Sequence, residues 1–206
     1  MHLKHFTLCL GLIGILSLSA IDLGIKYDII NNHDVSEQYW QDLNAVHTTF
    51  DYDKHGYSVY AEYPVKLIGC YSTGLGIEHQ FTRSEHVTGR SWYDKHYKDW
   101  EFMGDYSFTP VYLINKLSFP VKDVTVELLC DAGVNFFHST DKLVPNSSLS
   151  GSTHTGFGLN LVRDIFLLRV IYEVDKGYIT KANKTYTVVN KQTGISLGYR
   201  LQKAKK

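Results

Sequence analysis

Beyond its N-terminus the chain has no apolar run of ~18 residues, which excludes a helical membrane protein. It has no excess of either charge. Its 21 Lys and Arg balance its 21 Asp and Glu, so nothing points to nucleic acid as a partner. The three cysteines form no CxxC and join no Cys/His ligand spacing, and no HExxH occurs, so neither a metal nor a cofactor is expected. Cys9 lies inside the N-terminal apolar run. Of the other two, Cys70 falls near an expected turn and Cys130 in mid-strand, and no disulfide is expected between them. Pro and Met are scarce, at 4 and 2 in 206 residues, whereas Tyr and Gly are plentiful at 15 and 16. That balance favours β structure.

The N-terminus reads as an export signal. His2, Lys4 and His5 precede an apolar stretch from Phe6 to Leu18, and small residues follow at the cleavage spacing. The domain division is therefore a signal peptide over 1–20 and one β domain over 21–206.

Alternation with period two then recurs along the chain, and such a pattern places two residue sets on opposite faces of a strand. In the first segment Ile21, Leu23, Ile25, Tyr27 and Ile29 alternate with Asp22, Gly24, Lys26 and Asp28. Further segments begin at Tyr57, Tyr71, Phe102, Val126, Thr155, Phe166 and Gly194, the last reaching back as far as Tyr186. In the fourth, Phe102, Gly104, Tyr106 and Phe108 are read as the apolar face, with Met103, Asp105 and Ser107 opposite. Near Pro110 both faces turn apolar, and a bulge is expected because proline has no N–H for the ladder. The connections alternate in length. Long polar ones occupy Asn31–His55, Thr82–Glu101, His138–Ser152 and Lys176–Thr185, and short ones lie around Pro64–Gly69, Phe119–Val124 and Arg163–Asp164. A further hairpin strand, if one exists, is expected in Asn44–Asp53.

Charges keep to one face. Asp22, Lys26, Asp28, Glu62, Glu78, Asp105, Glu127, Asp131, Arg169, Glu173, Asp175 and Arg200 share it with Gly and Ser, while the apolar face ends repeatedly in Tyr and Phe. A narrow lumen needs small residues, and aromatics at strand ends match the girdles of a membrane barrel. The expected fold is all-β: an eight-stranded antiparallel up-and-down transmembrane β-barrel. Two other readings stay open. One is a secreted soluble lipocalin-like barrel that binds a small apolar ligand within the apolar face. The other is a lipid-modifying outer-membrane enzyme.

These residues resemble the small outer-membrane β-barrel family of the OmpA-transmembrane-domain and OmpX-like type. The most specific piece is Gln192-Thr193-Gly194-Ile195-Ser196-Leu197-Gly198-Tyr199. It is similar to the family's terminal-strand signal, in which Gln192, Gly194, Leu197 and Tyr199 stand at the marked positions. The family usually ends on an aromatic residue, whereas Arg200 to Lys206 add a basic tail here. The resemblance implies outer-membrane lipid as surroundings, barrel assembly machinery as a partner, and surface ligands met through the long loops.

The enclosed face would carry a charge network of Asp22, Lys26, Asp28, Glu78, Asp105, Glu127, Asp131, Arg169, Glu173 and Arg200, centred on the three bases. Buried charges must pair. The network therefore reads as structural, with a cation-binding lumen as the sharper alternative. His138-Ser139 and His154 match no catalytic motif, and no acid partner for either is visible. No catalytic residue is assigned and the chain is read as non-enzymatic. Aromatic residues of the first two long loops, among them Trp40, Trp92 and Trp100, suit either membrane-interface anchoring or contact with a partner.

Overall fold

The computed structural model describes residues 20–35, 47–52, 56–93, 96–139, 148–181 and 183–202; at 31–35, 47–52, 83–93, 96–105, 139, 181 and 202 it describes the backbone alone. Ten strands are present among them: β1 (Ala20–Val35), β2 (His47–Tyr52), β3 (Gly56–Ile68), β4 (Tyr71–Gln80), β5 (Arg83–Tyr93), β6 (His96–Val121), β7 (Val124–Ser139), β8 (Ser148–Arg163), β9 (Phe166–Lys181) and β10 (Lys184–Gln202). The expected signal segment lies outside the described residues except for Ala20.

Eight of the strands close a ring. β1 pairs with β3, β3 with β4, β4 with β6, and β6 through β10 pair in sequence order. β10 returns to β1, with Ile25 opposite Leu197 and Asp22 opposite Arg200, and every pairing is antiparallel. Closure removes the exposed backbone edges that an open sheet would leave in lipid. The short connections are turns at Gly69-Cys70, Lys122-Asp123 and Asp164-Ile165. Gly69, Lys122 and Asp164 each take a left-handed φ near 55°, the conformation that a two-residue hairpin turn demands.

The long connections carry more strand than their polarity suggests. β6 runs on as a 26-residue strand whose first part pairs with β5, and β2 adds to the far side of β5. The extra strand falls within Asn44–Asp53, and its partner is the second long connection rather than a neighbour in the first. The ring remains eight-stranded, extended at the loop end by β2, β5 and the start of β6.

Face assignment follows the sequence on seven of the ring strands and is reversed on the early part of β6. Tyr106 and Phe108 are buried inside, where Phe108 stacks on Phe137 with ring centroids 4.8 Å apart. The apolar set there belongs to the interior because the barrel's loop end is sealed by aromatic and aliphatic side chains: Phe108, Phe137, Ile179, Tyr186 and Val188. The expected bulge at Pro110 is also absent. Pro110 pairs in register with Asn135, and it lies between the parts of β6 that pair with β5 and with β4. A residue without an N–H is tolerated where the ladder on one side is interrupted. Register shifts occur instead at Asp28/Ile30, Lys66/Ile68 and Gly151/His154.

The outside is apolar. Leu23, Ile25, Val59, Leu75, Ile77, Leu113, Leu128, Val134, Leu159, Leu168, Val170, Ile195 and Leu197 are all exposed. Among the described residues of the same outward rows (21–29, 57–63, 71–81, 109–117, 126–138, 153–161, 166–174 and 193–201) no Asp, Glu, Lys or Arg occurs. Aromatics bracket the band. Tyr27 packs on Tyr57 towards the loop end, and Phe166 on Tyr199 towards the turn end. Cys130 faces outward within the band and Cys70 lies exposed at a turn, both as free thiols. An exposed apolar band around a closed ring requires lipid rather than water as its solvent. The soluble barrel with an apolar interior ligand is excluded, since the aliphatic row points out and the charged row in.

Candidate functional site: the charged barrel interior

An eight-stranded ring leaves room only for side chains to fill it. Period two directs Asp22, Lys26, Glu62, Glu78, Glu127, Asp131, Arg169, Glu173 and Asp175 into that space, where each is at most 5% exposed. The groups meet in three levels.

Nearest the turns, Glu62 is the hub. Arg169 grips it with two parallel bonds, Nη1 to Oε1 at 2.6 Å and Nη2 to Oε2 at 2.7 Å. Lys116 Nζ donates to Glu62 Oε2 at 2.7 Å and to Asp22 Oδ2 at 2.6 Å. Arg200 bridges Asp22 and Glu127 through four bonds of 2.7–2.8 Å. Asn160 joins Glu127 to Arg169 Nε, and Arg169 also lies 4.3 Å from the centre of the Tyr60 ring. A vestibule of about 560 Å³ opens at the turn end and reaches Lys116, Glu127 and Arg200. Forked guanidinium–carboxylate pairs are the strongest hydrogen-bonded ion pairs available to a protein.

In the middle, Lys26 donates to Glu78 at 2.6 Å and to Glu173, and lies 4.0 Å from Asp28. Gln192 donates to Glu173 at 2.9 Å. Towards the loops, His154 meets two acids. Its Nδ1 is 2.8 Å from Asp175 and its Nε2 is 3.1 Å from Asp131. Gln80 and Asn135 complete the shell of Asp175. Above this level stands the apolar seal of Phe108 and Phe137.

Every residue of the expected network is thus inside the barrel except Asp105, whose side chain lies outside the described residues. Two members of the interior network escaped the sequence reading. Lys116 sits on β6, where alternation was unreadable. His154 had no visible acid because its partners lie on neighbouring strands: Asp175 is directly opposite on β9 and Asp131 is on β7. Of the terminal-strand motif, Gln192 and Gly194 face the lumen, while Leu197 and Tyr199 point outward. That motif lies on the strand that closes the ring.

No protein-family model matches the sequence, and no curated protein does. Among solved structures the chain is similar to the outer-membrane protein OprG from Pseudomonas aeruginosa, at 13% identity over 90% of this chain and 97% of that one, with a TM-score of 0.48. It is also similar to Ail of Yersinia pestis bound to the heparin analogue sucrose octasulfate (16%, 89% and 97%, TM-score 0.41) and to the Escherichia coli protease OmpT (7%, 91% and 98%, TM-score 0.47). At these identities and scores the likenesses bring no function with them, and the assignment rests on the chain's own geometry. A closed eight-stranded ring, apolar outside and charged within, is an integral outer-membrane β-barrel of the small kind.

Proposed function

We propose that this chain is a filled, non-conducting and non-enzymatic outer-membrane barrel whose work lies at its loop end, in contacts with surfaces or molecules outside the cell. Residues 1–20 direct its export, and β10, with Gln192, Gly194, Leu197 and Tyr199, is the strand that the barrel assembly machinery reads. The observation that carries the proposal is the cross-linked lumen. Ion pairs join side chains of β1, β3, β6, β7, β9 and β10 across the interior near the turns, and an apolar layer closes the loop end. Such an interior is filled by side chains, which supports neither an open pore nor a substrate cleft. The strands continue past that layer into β2, β5 and the start of β6, which gives the loop end a folded surface to present.

Conductance decides the first half. The purified barrel in a planar bilayer is expected to show no resolved current steps in monovalent salt. Regular steps would reveal an open lumen and overturn the filled-barrel reading. Removal of the β5 hairpin, residues 83–105, tests the second half. The shortened barrel is expected to reach the outer membrane and keep its heat-dependent gel shift, yet to lose binding of producing cells to host or neighbouring cells. Unchanged binding by the shortened barrel would show that this end is not the working surface.

A further inference from the structure

Among the described lumen residues eight carboxylates (Asp22, Asp28, Glu62, Glu78, Glu127, Asp131, Glu173, Asp175) face two lysines and two arginines. Buried charge of one sign calls for a counter-charge. The turn-end level balances Asp22, Glu62 and Glu127 with Lys116, Arg169 and Arg200, so the excess of acid falls above it, where Lys26 and His154 face Asp28, Glu78, Asp131, Glu173 and Asp175.

Where the middle and loop-end levels meet, Asp131, His154 and Glu173 bring a nitrogen and two carboxylate oxygens within 4.8 Å of one another, all buried. Both oxygens of Asp131 lack a hydrogen-bond partner although the residue is only 5% exposed, and His154 Nε2 lacks one as well. The two stand 3.1 Å apart without hydrogen-bond geometry.

The surroundings hold them there. His154 Nδ1 lies 2.8 Å from the carboxylate of Asp175, which only accepts when ionised, so Nδ1 is the donor there and Nε2 is the ring atom facing the cluster, where an ion would take the place of a proton. A carboxylate behind a histidine is the usual support of a metal-bound imidazole. The Tyr112 ring, 5.0 Å away and inclined 31°, fixes the plane of the imidazole. Gly156 makes room for Asp131, since a Cβ there would come within 2.4 Å of its Oδ1.

We propose that Asp131, His154 and Glu173 bind one divalent transition-metal ion inside the barrel, with Asp175 as the positioning residue behind His154. One imidazole and two carboxylates suit zinc, iron(II), manganese(II) or nickel(II). The ion supplies positive charge among the five acids of the middle and loop-end levels, and it ties β7, β8 and β9 together.

The test uses the full chain refolded in detergent. Zinc titrated against a chromophoric chelator is expected to bind one ion per chain. Cobalt(II) added to the unaltered barrel is expected to give the visible absorption of a site with an imidazole ligand. Asp131→Asn and His154→Gln are expected to weaken zinc binding by about tenfold or more, and Asp175→Asn by about ten- to hundredfold. Each variant is checked for the heat-dependent gel shift, and the cobalt spectrum of the unaltered chain does not depend on any variant folding. Absence of stoichiometric binding by the unaltered chain would overturn the proposal. So would a folded His154→Gln barrel that binds zinc as tightly as the parent.

Discussion

Replacement of Glu62 by Ala is expected to destabilise the barrel more than any other single lumen substitution, by at least about 3–5 kcal/mol. Glu62 accepts four bonds: two from Arg169, one from Lys116 and one from the Tyr112 hydroxyl at 3.1 Å. Its removal orphans a buried guanidinium and leaves Lys116 with Asp22 alone, and an uncompensated charge in a dry interior costs several kcal/mol. The paired change Glu62→Met with Arg169→Met removes both charges and should recover much of the loss, because the desolvation cost disappears along with the attraction. Urea titration of refolding in lipid vesicles, read by the gel shift of unboiled samples, measures both. A Glu62→Ala barrel as stable as the parent would mean that water reaches Arg169 and that the lumen is wetter than its ion pairs imply.

That hub also marks what the sequence makes legible. Glu62 and Arg169 are assigned to the interior by alternation alone, since Tyr57, Val59, Ala61 and Tyr63 on β3 and Phe166 to Val174 on β9 leave no doubt about parity. Lys116 shares the hub, but Val111-Tyr112-Leu113-Ile114 is apolar on both faces, so the phase that would carry Lys116 inward is erased. Tyr112 and Ile114 are apolar because they fill the lumen beside Leu129 and Ile171, not because they face lipid. The reversed reading of Tyr106 and Phe108 has the same origin. Hydrophobicity marks a dry environment, and a filled barrel offers two of them.

Which groups meet is a different kind of information from which face they share. His154 has no acid near it in sequence, yet the register places Asp175 opposite it on β9. Register across strands depends on turn lengths and on the shift between Gly151 and His154, and no local pattern encodes it. Apart from Lys116 on β6, the lumen charges described are therefore readable from the sequence, whereas the three levels into which they sort are not. The loop-end strands were hidden for a related reason. β2 and β5 pair with each other rather than with a ring strand alone, and their polar sequences read as loop.

The outward row gives the complementary test. Leu197 is 70% exposed and lies opposite Ile25 on β1, flanked in the same row by Ile195 and Tyr199. Leu197→Arg is expected to cost about 2–4 kcal/mol when the barrel is folded into a bilayer, the penalty for arginine near the midplane. The same change at Leu201, past the Phe166–Tyr199 pair and close to the turn end, should cost about 0–1 kcal/mol, because the guanidinium reaches the headgroups there. The contrast in depth matters more than either value. A soluble protein would tolerate arginine at any 70% exposed site, and a uniform small effect along the row would mean that water, not lipid, surrounds the barrel. A steep dependence on position, with folding in detergent less affected than folding in lipid, follows only if the Leu197 row crosses the hydrocarbon layer. In that case the charge on the opposite row of β10, Arg200, has the protein interior as its refuge, where it meets Asp22 and Glu127.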